Sequence, residues 1–288
     1  MNPAPGPTAT PADQWSVAGR MLEFERPLLM GVVNVTPDSF SDGGLFLQRA
    51  AAIAHAQRLI DEGADILDVG GESTRPGAAG VSEAEEIDRV VPVLETLRAT
   101  GVVLSVDTSK PAVMRAALAA GAAIVNDVRA LNEPGAVETV AKSDCGIVIM
   151  HMQGTPRTMQ HNPRYADVVI DVCNFLHERI IALAAQGIDA MRVAVDPGFG
   201  FGKSVEHNFQ LLGRLSELTV VRRPILAGLS RKSMLGAVTG RPIGERTAAS
   251  VAAALIAVER GARIVRAHEV AATRDALRVW SATRKGEQ

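Results

Sequence analysis

Apolar residues along this chain alternate between two patterns. Short, nearly continuous apolar runs lie at Leu29–Asn34, Ile66–Gly70, Val102–Asp107, Ile124–Asn126, Ile147–His151, Arg192–Asp196, Ile225–Gly228 and Ile264–Ala267. Their length and β-branched content predict strands buried on both faces. Between them, helical patterns span Ala50–Glu62, Glu83–Arg98, Pro111–Ala120, Pro134–Ala141, Val168–Gln186, Val205–Glu217, Glu245–Arg260 and Val270–Trp280. Several end in glycine, such as Gly63 and Gly121, which suits the left-handed residue that closes a helix. Strand and helix signals alternating eight times over about 250 residues predict an α/β fold, a (β/α)8 TIM barrel in one domain. A doubly wound open sheet is the competing architecture. No low-complexity linker divides residues 26–288, and residues 154–165 are read as a loop. The Pro-, Ala- and Thr-rich start is expected to be a flexible tail over residues 1–25.

The pattern after the first strand changes the picture. Asn34 to Gly44 reads Asn-Val-Thr-Pro-Asp-Ser-Phe-Ser-Asp-Gly-Gly, which is turn chemistry between a strand and a helix. It is longer than the usual two to six residues of such a connection, and long strand-to-helix loops carry function in α/β proteins.

Composition narrows the class. The 288 residues carry a formal net charge of −2, without the basic stripe of a nucleic-acid protein. Two cysteines, Cys145 and Cys173, are too few for a disulfide framework. No positive and apolar leader opens the sequence, and no apolar stretch reaches membrane-spanning length. A cytoplasmic protein bound to neither membrane nor nucleic acid is expected.

In either architecture, function sits at the carboxyl ends of the strands. The predicted strands end at Asn34, Gly70-Gly71-Glu72-Ser73-Thr74-Arg75-Pro76-Gly77, Asp107, Asn126-Asp127, Met150-His151, Asp196-Pro197-Gly198, Gly228 and Arg266-Ala267-His268. Strand seven also leads into Ser230-Arg231-Lys232-Ser233. So many polar ends exceed what packing needs, because unpaired buried carboxylates are costly. Asp107, Asn126 and Asp196 suit a flat heterocycle with amino and ring N–H donors. Arg75, Lys232, Arg266 and His268 suit an anion such as phosphate. Bland readings stand beside these: Asp107 could cap the next helix, Asn126-Asp127 and Asp196 could close turns, and Glu72 could bond within its loop. Phe201, after a Gly-Phe-Gly turn, is a candidate to cover a ring face or a core residue. The Gly198–Lys203 turn is only a weak match to a phosphate loop, and metalloprotease, hydrolase and Walker motifs are absent.

The motifs Asn34–Gly44, Gly70–Gly77, Asp107-Thr108, Asn126-Asp127, Met150–Pro156, Asp196–Lys203, Gly228–Ser233 and Arg266–His268 together resemble the dihydropteroate synthase family of pterin-binding enzymes. The likeness runs in order from about Met30 to His268. It implies a (β/α)8 fold, a Mg²⁺ requirement, a homodimer and a sulfonamide target in folate biosynthesis. The implied reaction joins 6-hydroxymethyl-7,8-dihydropterin diphosphate to 4-aminobenzoate and releases diphosphate. Carried over by position, Asp107, Asn126, Met150, Asp196, Phe201, Gly228 and Lys232 would hold the pterin. Asn34, Arg75, Arg266 and His268 would hold the diphosphate, with Asn34 also at the metal. Thr74, Pro76, Phe201, Lys232 and Ser233 would border the aminobenzoate. Asp107, Lys232, Arg266 and His268 are the expected catalytic residues. Glu269 stands where the family more often has Asp. A pterin-binding methyltransferase domain resembles this fold but has no need of the cations. A non-catalytic pterin-binding paralogue is the reading from a different class.

Overall fold

The structure, a computed structural model, describes residues 13–36, 44–73, 80–155 and 158–285. Two short strands come first, β1 (Gln14–Val17) and β2 (Arg20–Glu23). The eight apolar runs follow as β3 (Leu28–Asn34), β4 (Ile66–Gly70), β5 (Val103–Asp107), β6 (Ile124–Asp127), β7 (Gly146–Met150), β8 (Val193–Asp196), β9 (Ile225–Gly228) and β10 (Ala262–Ala267). All pair in parallel in chain order, and β10 returns to β3 with Ile264 opposite Leu28, closing a barrel. The closure confirms the (β/α)8 barrel and rules out the open sheet.

The helices are α1 (Gly44–Asp61), α2 (Glu83–Leu97), α3 (Pro111–Ala120), α4 (Ala136–Ala141), α5 (Val168–Ala185), α6 (Val205–Gly213), α7 (Ser233–Thr239), α8 (Thr247–Glu259) and α9 (Val270–Lys285). Side-chain caps fix several starts: Ser82 accepts from the Glu85 amide, Asp167 from Val169 and Ile170, and Ser204 from His207. Helix α7 was not expected, since seven residues are too few for a period to show.

Strand alternation builds two layers inside the barrel. The lower layer is apolar: Met30, Ile66, Ile124, Val148, Ala194, Leu226 and Ile264 belong to one buried cluster. Two residues further along these strands, the same inward parity brings Val32, Asp68, Asn126, Met150, Asp196, Gly228 and Arg266. The barrel therefore turns from oil to polar groups within one step of the pleat.

The amino terminus corrects an expectation. Residues 14–23, placed in the flexible tail, form an antiparallel hairpin with Trp15 opposite Leu22. Trp15 is fully buried, and its indole N–H donates to the Arg192 carbonyl at 2.8 Å. With Val17 and Phe24 it joins the lower apolar layer and seals that end of the barrel. Gly146 makes room for it, since a Cβ there would lie 2.7 Å from Val17 Cγ2. The composition of the first dozen residues, which lie outside the described ones, hid the apolar alternation that follows.

Candidate active site

A cavity of 1550 Å³ opens at the carboxyl ends of the strands. This exceeds the roughly 300–1,000 Å³ of an ordinary small-molecule pocket. From the middle strands Asp107, Asn126, Met150 and Asp196 line it. From the last strands and the loop after β9 come Gly228, Lys232, Ser233, Arg266 and His268, with Asn34 and Phe201 completing the wall. These expected site residues thus meet in one place. Thr74, Arg75 and Pro76 lie outside the described residues, as do residues 37–43 of the loop after β3.

The floor is an ion-pair network centred on a residue the sequence reading missed. Asp68 is fully buried, and its Oδ2 accepts from Arg266 Nε at 2.6 Å and from Asn126 Nδ2 at 2.9 Å. Its Oδ1 accepts from Ser105 Oγ at 2.6 Å. Arg266 reaches on to Asp107, with Nη2 2.9 Å from Oδ2. The acids and cations expected to act on separate parts of a ligand are interleaved here. Arg266, expected at an anion, has two of its three nitrogens on carboxylates, which leaves Nη1 for a ligand oxygen.

Electrostatics follow from this crowding. Burial, reinforced by the Asp68 carboxylate, raises Asp107 to about 7 against the pull of Arg266. Burial also raises Asp196, whose Oδ1 accepts from the Gly198 amide at 2.7 Å. It lowers Lys232 to about 8, partly offset by Asp196. Lys232 Nζ lies 4.2 Å from the centroid of the Phe201 ring, so cation and aromatic share one wall.

Asp107 does not cap α3, whose start at Lys110 has no side-chain cap. Asp127 does close a turn, accepting from the Arg129 and Leu131 amides at 2.8 Å and from Ser109 Oγ. Its neighbour Asn126 points inward instead. Asp196 both closes its turn and faces the cavity. Glu72 pairs with Lys110 at 2.5 Å, and Lys110 also holds Glu86 and the Val81 carbonyl.

Lys203 and Glu269 support the site in ways their sequence context did not reveal. Lys203, the apparent remnant of a phosphate loop, is turned inward and buried. Its Nζ donates to His151 Nδ1 at 2.9 Å and to the Gly198 and Phe201 carbonyls, which staples the turn carrying Phe201. Burial lowers Lys203 to about 7 and His151 to about 3, so the imidazole is a neutral acceptor. In the same turn Gly198 has φ 70°, and a Cβ there would lie 1.9 Å from the His151 carbonyl oxygen. On the opposite side, Glu269 accepts from Ser230 Oγ at 2.8 Å and Arg231 Nε at 2.5 Å, fixing the loop before Lys232. Ser230 Oγ also lies 2.9 Å from His268 Nδ1.

A sequence profile of the family described as pterin binding enzyme matches residues 30–268. The chain is 52% identical to the dihydropteroate synthase of Haemophilus influenzae, over 92% of this chain and 96% of that protein. The chain belongs to the dihydropteroate synthase family of pterin-binding enzymes. Among solved structures, Yersinia pestis dihydropteroate synthase with a sulfonamide drug complex superimposes with a TM-score of 0.90 at 49% identity, covering 94% of this chain and 99% of that one. The Burkholderia cenocepacia dihydropteroate synthase complexed with 7,8-dihydropteroate gives 0.88 at 53% identity, covering 96% and 98%. No helix among the described residues is long and apolar enough to cross a membrane.

Proposed function

We propose that this chain joins 6-hydroxymethyl-7,8-dihydropterin diphosphate to 4-aminobenzoate, forming 7,8-dihydropteroate and releasing diphosphate in folate biosynthesis. One observation carries the reading: a single cavity presents buried carboxylates and cations side by side, at Asp107, Asp196, Lys232 and Arg266. A methyltransferase domain would need the acids for a pterin but not the cations. Family membership at about half identity supports the same reaction.

Asp107, Asp196 and the Asn126 amide accept from the ring's N–H and amino donors, with Met150 and Phe201 against its apolar surface. Lys232, Arg266 Nη1 and His268 meet the anionic end, joined by Arg75. Ser233, Thr74 and Pro76 border the arylamine. The amine is neutral near pH 7 and needs no strong base, so the barrier lies in breaking the carbon–oxygen bond to diphosphate. The bond's electron pair leaves with the oxygen, the amine nitrogen bonds to the exocyclic carbon, and one amine proton passes to solvent. The two carboxylates stabilise positive charge spread over the ring, and the cations stabilise the departing diphosphate. This favours a dissociative, SN1-like path.

The donor set fits Mg²⁺ as an ion shared with the substrate. Among the described residues no three His, Cys, Asp or Glu side chains cluster to hold a metal. Asn34, at the end of β3 and lining the cavity, would offer one hard oxygen, with substrate phosphates completing the coordination. When bound, the ion would neutralise charge on the diphosphate. The cytoplasm is the matching compartment, in line with the free thiols Cys145 and Cys173. A homodimer is supported by apolar residues exposed on three helices that pack together and the turn joining two of them: Val205, Val238, Ile243 and Ile256. Light scattering reporting a monomer at micromolar concentration would remove the dimer.

Incubation with both substrates and Mg²⁺ should yield dihydropteroate and diphosphate in equal amounts, with sulfonamides competing against aminobenzoate. Absence of product from folded protein would reject the reaction.

A further inference from the structure

Asp68 makes three hydrogen bonds, none to the cavity it underlies. It is fully buried inside the barrel and does not line the pocket. Its partners on either side, Asn126 and Arg266, both do. A side-chain amide has one donor end and one acceptor end. Asn126 spends its Nδ2 on Asp68 at 2.9 Å. The reverse orientation would set the amide oxygen against a carboxylate. Arg266 is constrained in the same way: Nε on Asp68 and Nη2 on Asp107 fix the plane of the guanidinium.

We propose that Asp68 is a positioning residue that sets the polarity of the pocket floor: by holding the Asn126 nitrogen and the Arg266 Nε, it turns the Asn126 oxygen toward the ligand as an acceptor and aims Arg266 Nη1 at it. This rests on the pterin reading above and adds to it the residue that determines which ring edge the floor accepts. A ring that presents N–H donors is selected, and one that presents only acceptors meets a like group. The carboxylate also binds Ser105 Oγ, so its own rotation is blocked from the far side. The selection is made by a residue in the same layer of the barrel that is fully buried and does not line the cavity.

The test is calorimetric binding of a pterin and of two ring analogues, one lacking the amino group and one N-methylated, in the presence of diphosphate and Mg²⁺. Asp68→Leu removes the acceptor while keeping the branched heavy-atom shape, at the cost of some added volume. It should weaken pterin binding by about tenfold or more, the loss of a charge-assisted hydrogen bond. Discrimination between the pterin and the donor-lacking analogues should fall severalfold, the part set by Asp107 and Asp196 remaining. Asp68→Asn keeps an acceptor for both neighbours, with Ser105 able to switch roles, and should restore binding and discrimination to within about threefold. A role in charge balance or folding alone predicts that both variants fall together with discrimination unchanged, and that result overturns the proposal. Wild-type binding by Asp68→Leu overturns it too. If Asp68→Leu does not fold, Asp68→Ser, too short to reach both neighbours, carries the same expectations. Failure of the unsubstituted protein to bind any pterin would instead refute the functional reading.

Discussion

At the scale of single residues, the account turns on carboxylates that accept from a ring on its way to a cation. Asp107 is the most exposed to this demand, because it shares Arg266 with Asp68 and faces the cavity. Asp107→Asn keeps the shape and removes the charge. Its kcat should drop by about a hundredfold, the scale of removing one preorganised electrostatic group. Steady-state kinetics with both substrates checks this, and a raised KM for the pterin with unchanged kcat would contradict it. Residues of this kind were legible in the sequence because a polar side chain ending an apolar strand breaks the burial rule openly. Asp68 was not, although Ile66-Leu67-Asp68-Val69-Gly70 places it at the same inward parity as Ile66. Its meaning depends on Arg266, nearly two hundred positions away, and only barrel closure brings the two together. Lys203 was misleading for a similar reason: its turn resembles a phosphate loop, yet the ammonium is turned inward onto carbonyls.

At the scale of elements, the strands and most helices were legible because parallel strands buried on both faces are apolar throughout. The hairpin at residues 14–23 was not, since four-residue strands beside a Pro- and Ala-rich start give little periodicity. Packing decides its importance instead. Trp15→Ala should lower stability by about 3–5 kcal/mol, as large aromatic truncations in a core do. Thermal or urea unfolding measures it. Because the hairpin closes the end of the barrel away from the site, kcat below the new melting point should stay within about twofold of the original. A large fall in kcat with unchanged stability would mean that the hairpin serves the chemistry.

At the scale of the whole molecule, two titrations meet in one cavity. Asp107, raised to about 7 by burial and Asp68, must be ionised to accept from the ring. Lys232, lowered to about 8 by burial, must be protonated to attract the anion. On the proposed mechanism, activity should therefore fall as pH drops through the first value and as it rises through the second. The profile of kcat/KM for the pterin diphosphate should be a narrow bell with limbs near pH 7 and 8. Lys232→Arg, which keeps the charge, should remove the alkaline limb and leave the acid one. A flat profile from pH 6 to 9 would contradict both assignments. Stability runs the other way for the acid: an Asp107 pKa raised above its unfolded value means the folded state holds the extra proton between about 4 and 7. Its contribution to stability is therefore greatest below that window and declines across it as pH rises. The site gives up some stability of the empty protein at neutral pH to hold a charge ready for the ligand.

The central claim is that the floor of acids stabilises a ring that has become cationic before the amine arrives. The secondary deuterium isotope effect at the exocyclic methylene carbon tests it most directly, measured on kcat/KM with dideuterated pterin diphosphate. The account predicts a clear normal effect, as the carbon flattens on losing diphosphate. An effect at or below unity would mean that the amine attacks while the carbon–oxygen bond is still intact, and would contradict it.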